Sequence, residues 1–419
     1  MLSLFIVATT TSLVPFTPRQ SLNSVFSTGE GDIFRQLSYC GIFIAAIVPA
    51  VRRRPSLIIA ALPVSMVALF LWSAATLYWS PVPLIGARRL ALTVIIAWTA
   101  FIIVANLTLE RGLQVIGQTL IGLAVASVLT GVLVPTLGIH QPGDPESQIV
   151  GAWRGVFYHK NILGSVSALA VLFSLYFLPR DRRPQFREML SVLLSAGALA
   201  LAGSKTSILL CLVAAVCFWL ASNHRGAAQV KGVLVLLVFP ITFVLVLSLP
   251  YGLEAVEEIV DDPQLFTGRS LLWQLTYEVG MQNLLFGVGY QSIFQVGPES
   301  AMARLTGSLF IQTITHAHNA YLEIWASTGI IGLCLFGYAV VVRPLLAITS
   351  RHFDEQRRIF IAVYVFVLLH ALLESGLLDR ERGTWVVLLC IMGLLHSAWR
   401  KRKVQTVVLS NHKPVSADA

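Results

Sequence analysis

A succession of apolar runs, each near the length of a bilayer crossing, constrains this chain more than any other feature. They lie at about 37–51, 57–78, 89–108, 114–138, 161–178, 188–203, 206–222, 231–250, 319–343, 358–377 and 383–399. A spanning helix needs about 20 apolar residues, with about 17 as a lower limit. Hydrocarbon offers the backbone no hydrogen-bond partner, so segments of this length must close their own bonds as helices. Met1–Phe16 is apolar but short. It has no basic opening and no small-residue cleavage site, which argues against a signal peptide. Counted as a span, it brings the total to about twelve helices. The expectation is an all-α polytopic membrane protein. Composition agrees: 56% of residues are hydrophobic and 12% charged, against about 25% charged in soluble proteins.

The net charge of +9 would suggest nucleic acid in a soluble chain. Here topology accounts for it, and no nucleic-acid partner is expected. Arg52-Arg53-Arg54, Arg111, Arg180 to Arg187, Arg225 with Lys231, Arg343 to Arg358 and Arg400 to Lys403 fall on alternate connections, and the acids gather on the others. The basic side is cytoplasmic by the positive-inside rule, with both termini inside if Met1–Phe16 spans. This divides one integral membrane domain into a bundle over 1–250, a large periplasmic loop over 251–318, C-terminal helices over 319–400 and a cytoplasmic tail over 401–419. Within the loop, Ser270 to Asn283 places Leu271, Leu272, Leu275, Tyr277 and Val279 at helical spacing. It reads as an amphipathic helix over the membrane face, followed by a turn at Gly287–Tyr290. The cysteines form no CxxC pair and read as small packing residues.

The chemistry concentrates at Thr315–Glu323, where a polar segment enters a span. Ionisable groups at a membrane boundary are costly and are functional candidates. An imidazole at His318 can take up and pass on a proton near neutral pH; the plain alternative is that it caps or anchors the helix. Asn319 can bond a hydroxyl-rich ligand or hold a loop. His316, His318 and Glu323 could suggest a metal, but residues two apart project to different helix faces, so none is expected. Gly329 and Gly332, with Ala326, form a small-residue stripe suited to close helix packing. On the outer side, Arg154, Lys205 and Arg269 run against the topology bias. A guanidinium fork binds phosphate bidentately, and a lipid-linked diphosphate would supply that partner; the alternative is a headgroup anchor. Arg380 and Arg382 are interleaved with acids and read as a solvated turn.

These residues together resemble a known family. His318-Asn319, nine residues, Gly329, two residues and Gly332 is similar to the signature of the O-antigen ligase and polymerase superfamily of bacterial membrane glycosyltransferases. A Gly-Arg at Gly268-Arg269 and an Arg-Gly-x-Phe-x-x-x-Asn element from Arg154 to Asn161, with Lys160 inside it, agree. The stretches Arg154–Gly164 and Ser204–Thr206 look most similar to the exopolysaccharide polymerases of that superfamily. Lys205 stands where the family leads one to expect arginine. The resemblance implies inverting, metal-independent glycosyl transfer at the periplasmic face of the bacterial inner membrane, without a cofactor. The donor would be a glycan on undecaprenyl diphosphate and the acceptor a second glycan, with membrane lipid around both. His318 would be the general base, and Arg154 and Arg269 would stabilise the leaving diphosphate. Lys205, Lys160, Asn161 and Asn319 complete the expected substrate-binding set. A chain-length regulator and a flippase are the protein partners to look for.

A polymerase is preferred to a ligase on local similarity, because the sequence does not reveal the acceptor pocket. The rival from another class is a transporter of lipid-linked sugars, which should place its charged groups near the bilayer midplane; here they gather at one face. A scaffold for other synthesis enzymes would leave His318 dispensable.

Overall fold

The structure is a computed structural model describing residues 1–13, 32–53, 55, 61–144, 149–221, 269–306, 315–350, 353–380 and 382–411. The expected span at 231–250, the first part of the large loop and the end of the tail lie outside the described residues. The chain is helical: α1 (Leu2–Thr10), α2 (Ile33–Arg53), α3 (Val64–Ala75), α4 (Pro83–Ala105), α5 (Leu109–Leu133), α6 (Lys160–Phe177), α7 (Phe186–Ala202), α8 (Lys205–Leu220), α9 (Arg269–Gln282), α10 (Ala320–Phe336), α11 (Arg357–His370) and α12 (Gly383–Asn411). Among the described residues, six helices are long and apolar enough to cross a membrane. α3 and α8 are apolar but shorter; α1 has nine residues, and the end of Met1–Phe16, a span only conditionally in the sequence, lies outside the described residues.

α11 is the centre of the bundle. Every residue from Ile359 to His370 is buried, as expected of a helix that is apolar all round. α6, α8 and α12 pack around it, and α4, α5 and α7 extend the layer outward. Glycine permits the close approaches: Gly112 lies against Leu394, and Gly117 against Phe173 and Phe177. The outward faces carry exposed Ile33, Phe34 and Leu37 on α2 and Leu209, Leu212 and Val216 on α8, the surface a lipid-facing bundle presents.

Two helix ends differ from the sequence expectation. α4 begins at Pro83, whose fixed φ suits the first helical turn, and this puts Arg89 inside the helix. Its guanidinium is buried and donates to the carbonyls of Gln291, Phe294 and Gln295. α11 stops at His370, so Glu374 stands on the connection to α12 rather than inside a span.

Gly329 corrects the helix-packing expectation. It breaks α10, with φ 72° and ψ −178°, a region essentially reserved for glycine. The groups freed by the break bond to the turn after α9: Ile330 N donates to Leu284 O at 3.0 Å, Val288 N to Ala326 O at 3.0 Å and Gly289 N to Ser327 O at 3.0 Å. Trp72 Nε1 donates to Thr328 O at 2.8 Å. An irregular backbone at this depth is tolerable because protein satisfies it. A Cβ at Gly329 would strike the Leu285 carbonyl. Gly329→Ala therefore combines a clash with strain of about 1–3 kcal/mol, and a large loss of thermal stability and of monodisperse protein is expected. Wild-type behaviour on melting and size exclusion would contradict it.

α9 matches the expected loop helix: Val279 is buried and Leu275 and Tyr277 pack beside it. Trp273, Thr276, Tyr277 and Gly280, spaced i, i+3, i+4 and i+7, face α10, where Trp273 Nε1 donates to Ala317 O at 2.9 Å and Gly280 lies against the Trp325 ring. Leu271 is left exposed.

Candidate functional site

One end of the bundle collects the start of α6, α8, α10 and α12 and the end of α11. Asn319 is the N-cap of α10, its side-chain oxygen accepting from Tyr321 N and Leu322 N at 3.1 Å. It is buried, so it holds the helix start rather than facing a ligand. Ala320 N donates to Ala371 O at 2.9 Å, which locks α10 to the connection carrying Glu374. His318, one residue before the cap, has φ +57°. That left-handed turn swings its ring away from the helix line, and His318 and His316 lie with ring centroids 4.1 Å apart. The separation expected of two residues on a helix does not apply, because neither is in the helix.

Glu374, enclosed by the apolar run at 358–377 in the sequence, is the hub of the site. Its Oε2 accepts from His318 Nδ1 at 3.0 Å, and its Oε1 accepts from Arg269 Nη2 and Asn161 Nδ2, each at 3.0 Å. Arg269 also donates to Leu373 O. Burial alone would raise this carboxyl, but the hydrogen bond from His318 and the charge of Arg269 outweigh it and hold Glu374 well below the usual carboxylate range. An ionised carboxylate can only accept, so His318 Nδ1 carries the proton and Nε2 is left as the basic nitrogen. Beneath them, Glu323 accepts from Ala317 N at 2.5 Å and from the Ser375 hydroxyl. It thereby joins the strand of residues bearing His318 to the one bearing Glu374.

His318 and Glu374 open on a cavity of ≈ 520 Å³ whose other charged lining groups are Lys160, Lys205, Arg269 and Arg382. The N-termini of α6 and α8 point into it, through Lys160-Asn161 and Ser204-Lys205, and add the positive ends of two helix dipoles. The cavity is therefore built for an anion. His316, His318 and Glu374 place ligand atoms within 4.8 Å of one another, a spacing compatible with a cation. The surrounding cations and the prior engagement of Glu374 with Arg269 oppose one electrostatically.

The structure thus brings together Lys160, Asn161, Lys205, Arg269 and His318. It does not bring Arg154 to this cavity. Arg154 is buried in the 135–154 connection, with Nε donating to Leu137 O at 2.9 Å and Nη1 3.7 Å from Asp144. Asp144 also holds His140 at 2.7 Å. Arg382, read from its acidic neighbours as part of a solvated turn, instead lines the cavity, 3.8 Å from Asp379. No local pattern marked it: its place depends on α12 starting at Gly383 beside Thr10.

Fold and site define a polytopic helical membrane protein with a histidine–glutamate pair and a cation-lined cavity at one end. Residues 190–337 match the family described as Wzy_C: O-Antigen ligase, a stretch that includes His318, Gly329 and Gly332. The chain is also 25% identical over 325 residues, covering 74% of this chain and 72% of the relative, to the exopolysaccharide production protein ExoQ of Rhizobium meliloti (strain 1021). Both matches agree with the resemblance to the O-antigen ligase and polymerase superfamily drawn from the motifs.

Proposed function

We propose that this chain is a membrane glycosyltransferase that polymerises oligosaccharide repeats carried on undecaprenyl diphosphate, in exopolysaccharide or O-antigen synthesis. The observation that carries the reading is the His318–Glu374 pair on the wall of a cavity otherwise charged by cations. His318 Nε2 takes the proton of the acceptor hydroxyl as that oxygen attacks the donor's anomeric carbon. The bond from this carbon to the diphosphate oxygen breaks, the lipid diphosphate leaves with the electron pair, and the anomeric configuration inverts. Lys160, Lys205, Arg269 and Arg382 stabilise the charge on the leaving group where a metal ion would otherwise do so. The face is periplasmic, because the opposite end carries Arg52, Arg111, Arg343 and Arg357. No metal or other cofactor enters the scheme, and a chain-length regulator and a flippase are the partners to test.

A second reading, ligation of the glycan to lipid A core or protein, is favoured by the description of the matched family. Purified protein in lipid, given lipid-diphosphate oligosaccharide alone, separates the two. A ladder of longer lipid-linked glycans supports polymerisation; transfer only when lipid A core or protein is added supports ligation. Passage of intact donor across the bilayer without transfer would mean a transporter. Arg269→Lys is expected to slow extension by about tenfold or more, since one ammonium cannot serve both Glu374 and the Leu373 carbonyl as the fork does. Near-wild-type extension would remove Arg269 from the site.

A further inference from the structure

The cavity holding His318 has a neighbour. A smaller one of ≈ 130 Å³ is lined by Gln291, Phe294, Gln295, Leu377, Asp379 and Arg380, and shares Tyr158, Thr315, His316 and Arg382 with the first. His316 is the partition, lying against the smaller cavity and stacked 4.1 Å from His318 on the other side. The loop that lines the smaller cavity is held in an unusual shape. Gln291 and Gln295 have φ +47° and +54°, left-handed values that cost energy in a non-glycine residue and persist where the surroundings impose them, often at functional sites. Arg89 imposes them, through its three hydrogen bonds of 2.6 to 2.9 Å to this loop. The Gln291 side chain ties the loop to the opposite wall, accepting from Arg380 Nη1 at 2.9 Å and donating to Leu378 O at 3.3 Å. The lining alternates amides and guanidinium groups with Phe294 and Leu377, a mixture that suits the hydroxyls and the C–H faces of a sugar ring, with a few placed polar groups fixing orientation.

We propose that this second cavity binds the acceptor, holding the non-reducing end of its glycan so that one hydroxyl reaches His318 past the His316 partition while the donor diphosphate occupies the larger cavity. This rests on the transferase reading above. The two cavities that meet at the histidine pair differ in their make-up: helix N-termini and cations ring the larger, whereas the smaller sets Arg35, Arg89, Arg380 and Arg382 against Asp379 and Glu323 and adds the amides of Gln291 and Gln295.

The test uses the full chain in lipid with two substrates that cannot exchange roles. The donor is the host's lipid-diphosphate oligosaccharide with its accepting hydroxyl removed. The acceptor is the same repeat oligosaccharide mounted as an octyl glycoside, which cannot leave. Gln295→Ala and Arg380→Ala are expected to raise the acceptor KM about tenfold, the loss of about one good hydrogen bond, with the donor KM within about twofold. Lys205→Ala is expected to do the reverse. Unchanged acceptor KM values, or a shift confined to the donor, would overturn the assignment. A second measurement reads binding without turnover. The octyl glycoside carrying a diazirine on its terminal sugar is photolysed with the His318→Ala protein. Label on the 290–295 peptide is expected, and label on residues 160–162 or 204–206 instead would contradict it. Absence of transfer by the wild type would sink the enzyme reading alone, because the crosslink is scored independently.

Discussion

Replacing His318 with alanine leaves an inserted, folded protein that makes no glycan longer than the lipid-linked unit supplied. The fold survives because the α10 start is capped by Asn319 and pinned through Ala320 to Ala371, neither of which uses the imidazole. The His318 side chain is 28% exposed and makes one ion-pair contact, to Glu374, so little packing is lost. What is lost is the proton acceptor. A positioned general base contributes on the order of 10²–10⁴-fold, and the remaining cations can hold the donor without activating the acceptor. High-molecular-weight polymer at wild-type amounts, with normal protein levels on a blot, would remove the catalytic role.

Glu374→Gln is expected to be nearly as damaging, although it changes shape by one atom. A glutamine amide can donate to His318 Nδ1, which favours the tautomer with its proton on Nε2, the nitrogen required to be basic. In an analogous histidine–carboxylate pair the amide substitution costs on the order of 10⁴-fold in kcat, and a loss of about 10³-fold or more is expected here. Arg269 also loses its charge partner in a site where breaking a buried pair costs about 3–5 kcal/mol. The two effects separate experimentally. Donor KM reports the cations, including a displaced Arg269, whereas a fall in kcat at saturating donor reports the tautomer. A Gln variant with wild-type kcat would show that Glu374 does not orient the base.

Much of this was legible in the sequence. The apolar runs marked most helices to within a few residues, because a membrane span must be long and continuous. The basic connections fixed which ends belong together. His318, Lys160, Asn161 and Lys205 stood out at span boundaries and Arg269 at the start of the loop helix, and the structure gathers them. What stayed hidden depends on where helices stop and on backbone that is not helical. Glu374 was taken into a span because Leu372 and Leu373 continue the apolar run, and α11 ends before them. Arg89 stood at the very start of the apolar run at 89–108, and because α4 begins at Pro83 it lies inside the helix. Gly329 resembles a packing glycine in any linear reading, yet its value is a conformation that only the approach of the Leu284–Gly289 turn explains. Arg154 was selected by charge and motif, and its partner Asp144 lay ten residues away in plain view.

The most direct measurement is extension of a lipid-diphosphate oligosaccharide by purified protein in lipid, run in EDTA, with wild type and His318→Ala side by side. The account predicts a ladder of longer lipid-linked glycans from the wild type, undiminished by chelation, and unextended donor from the variant. Extension by His318→Ala, or wild-type activity that disappears in EDTA and returns with a divalent cation, would contradict it.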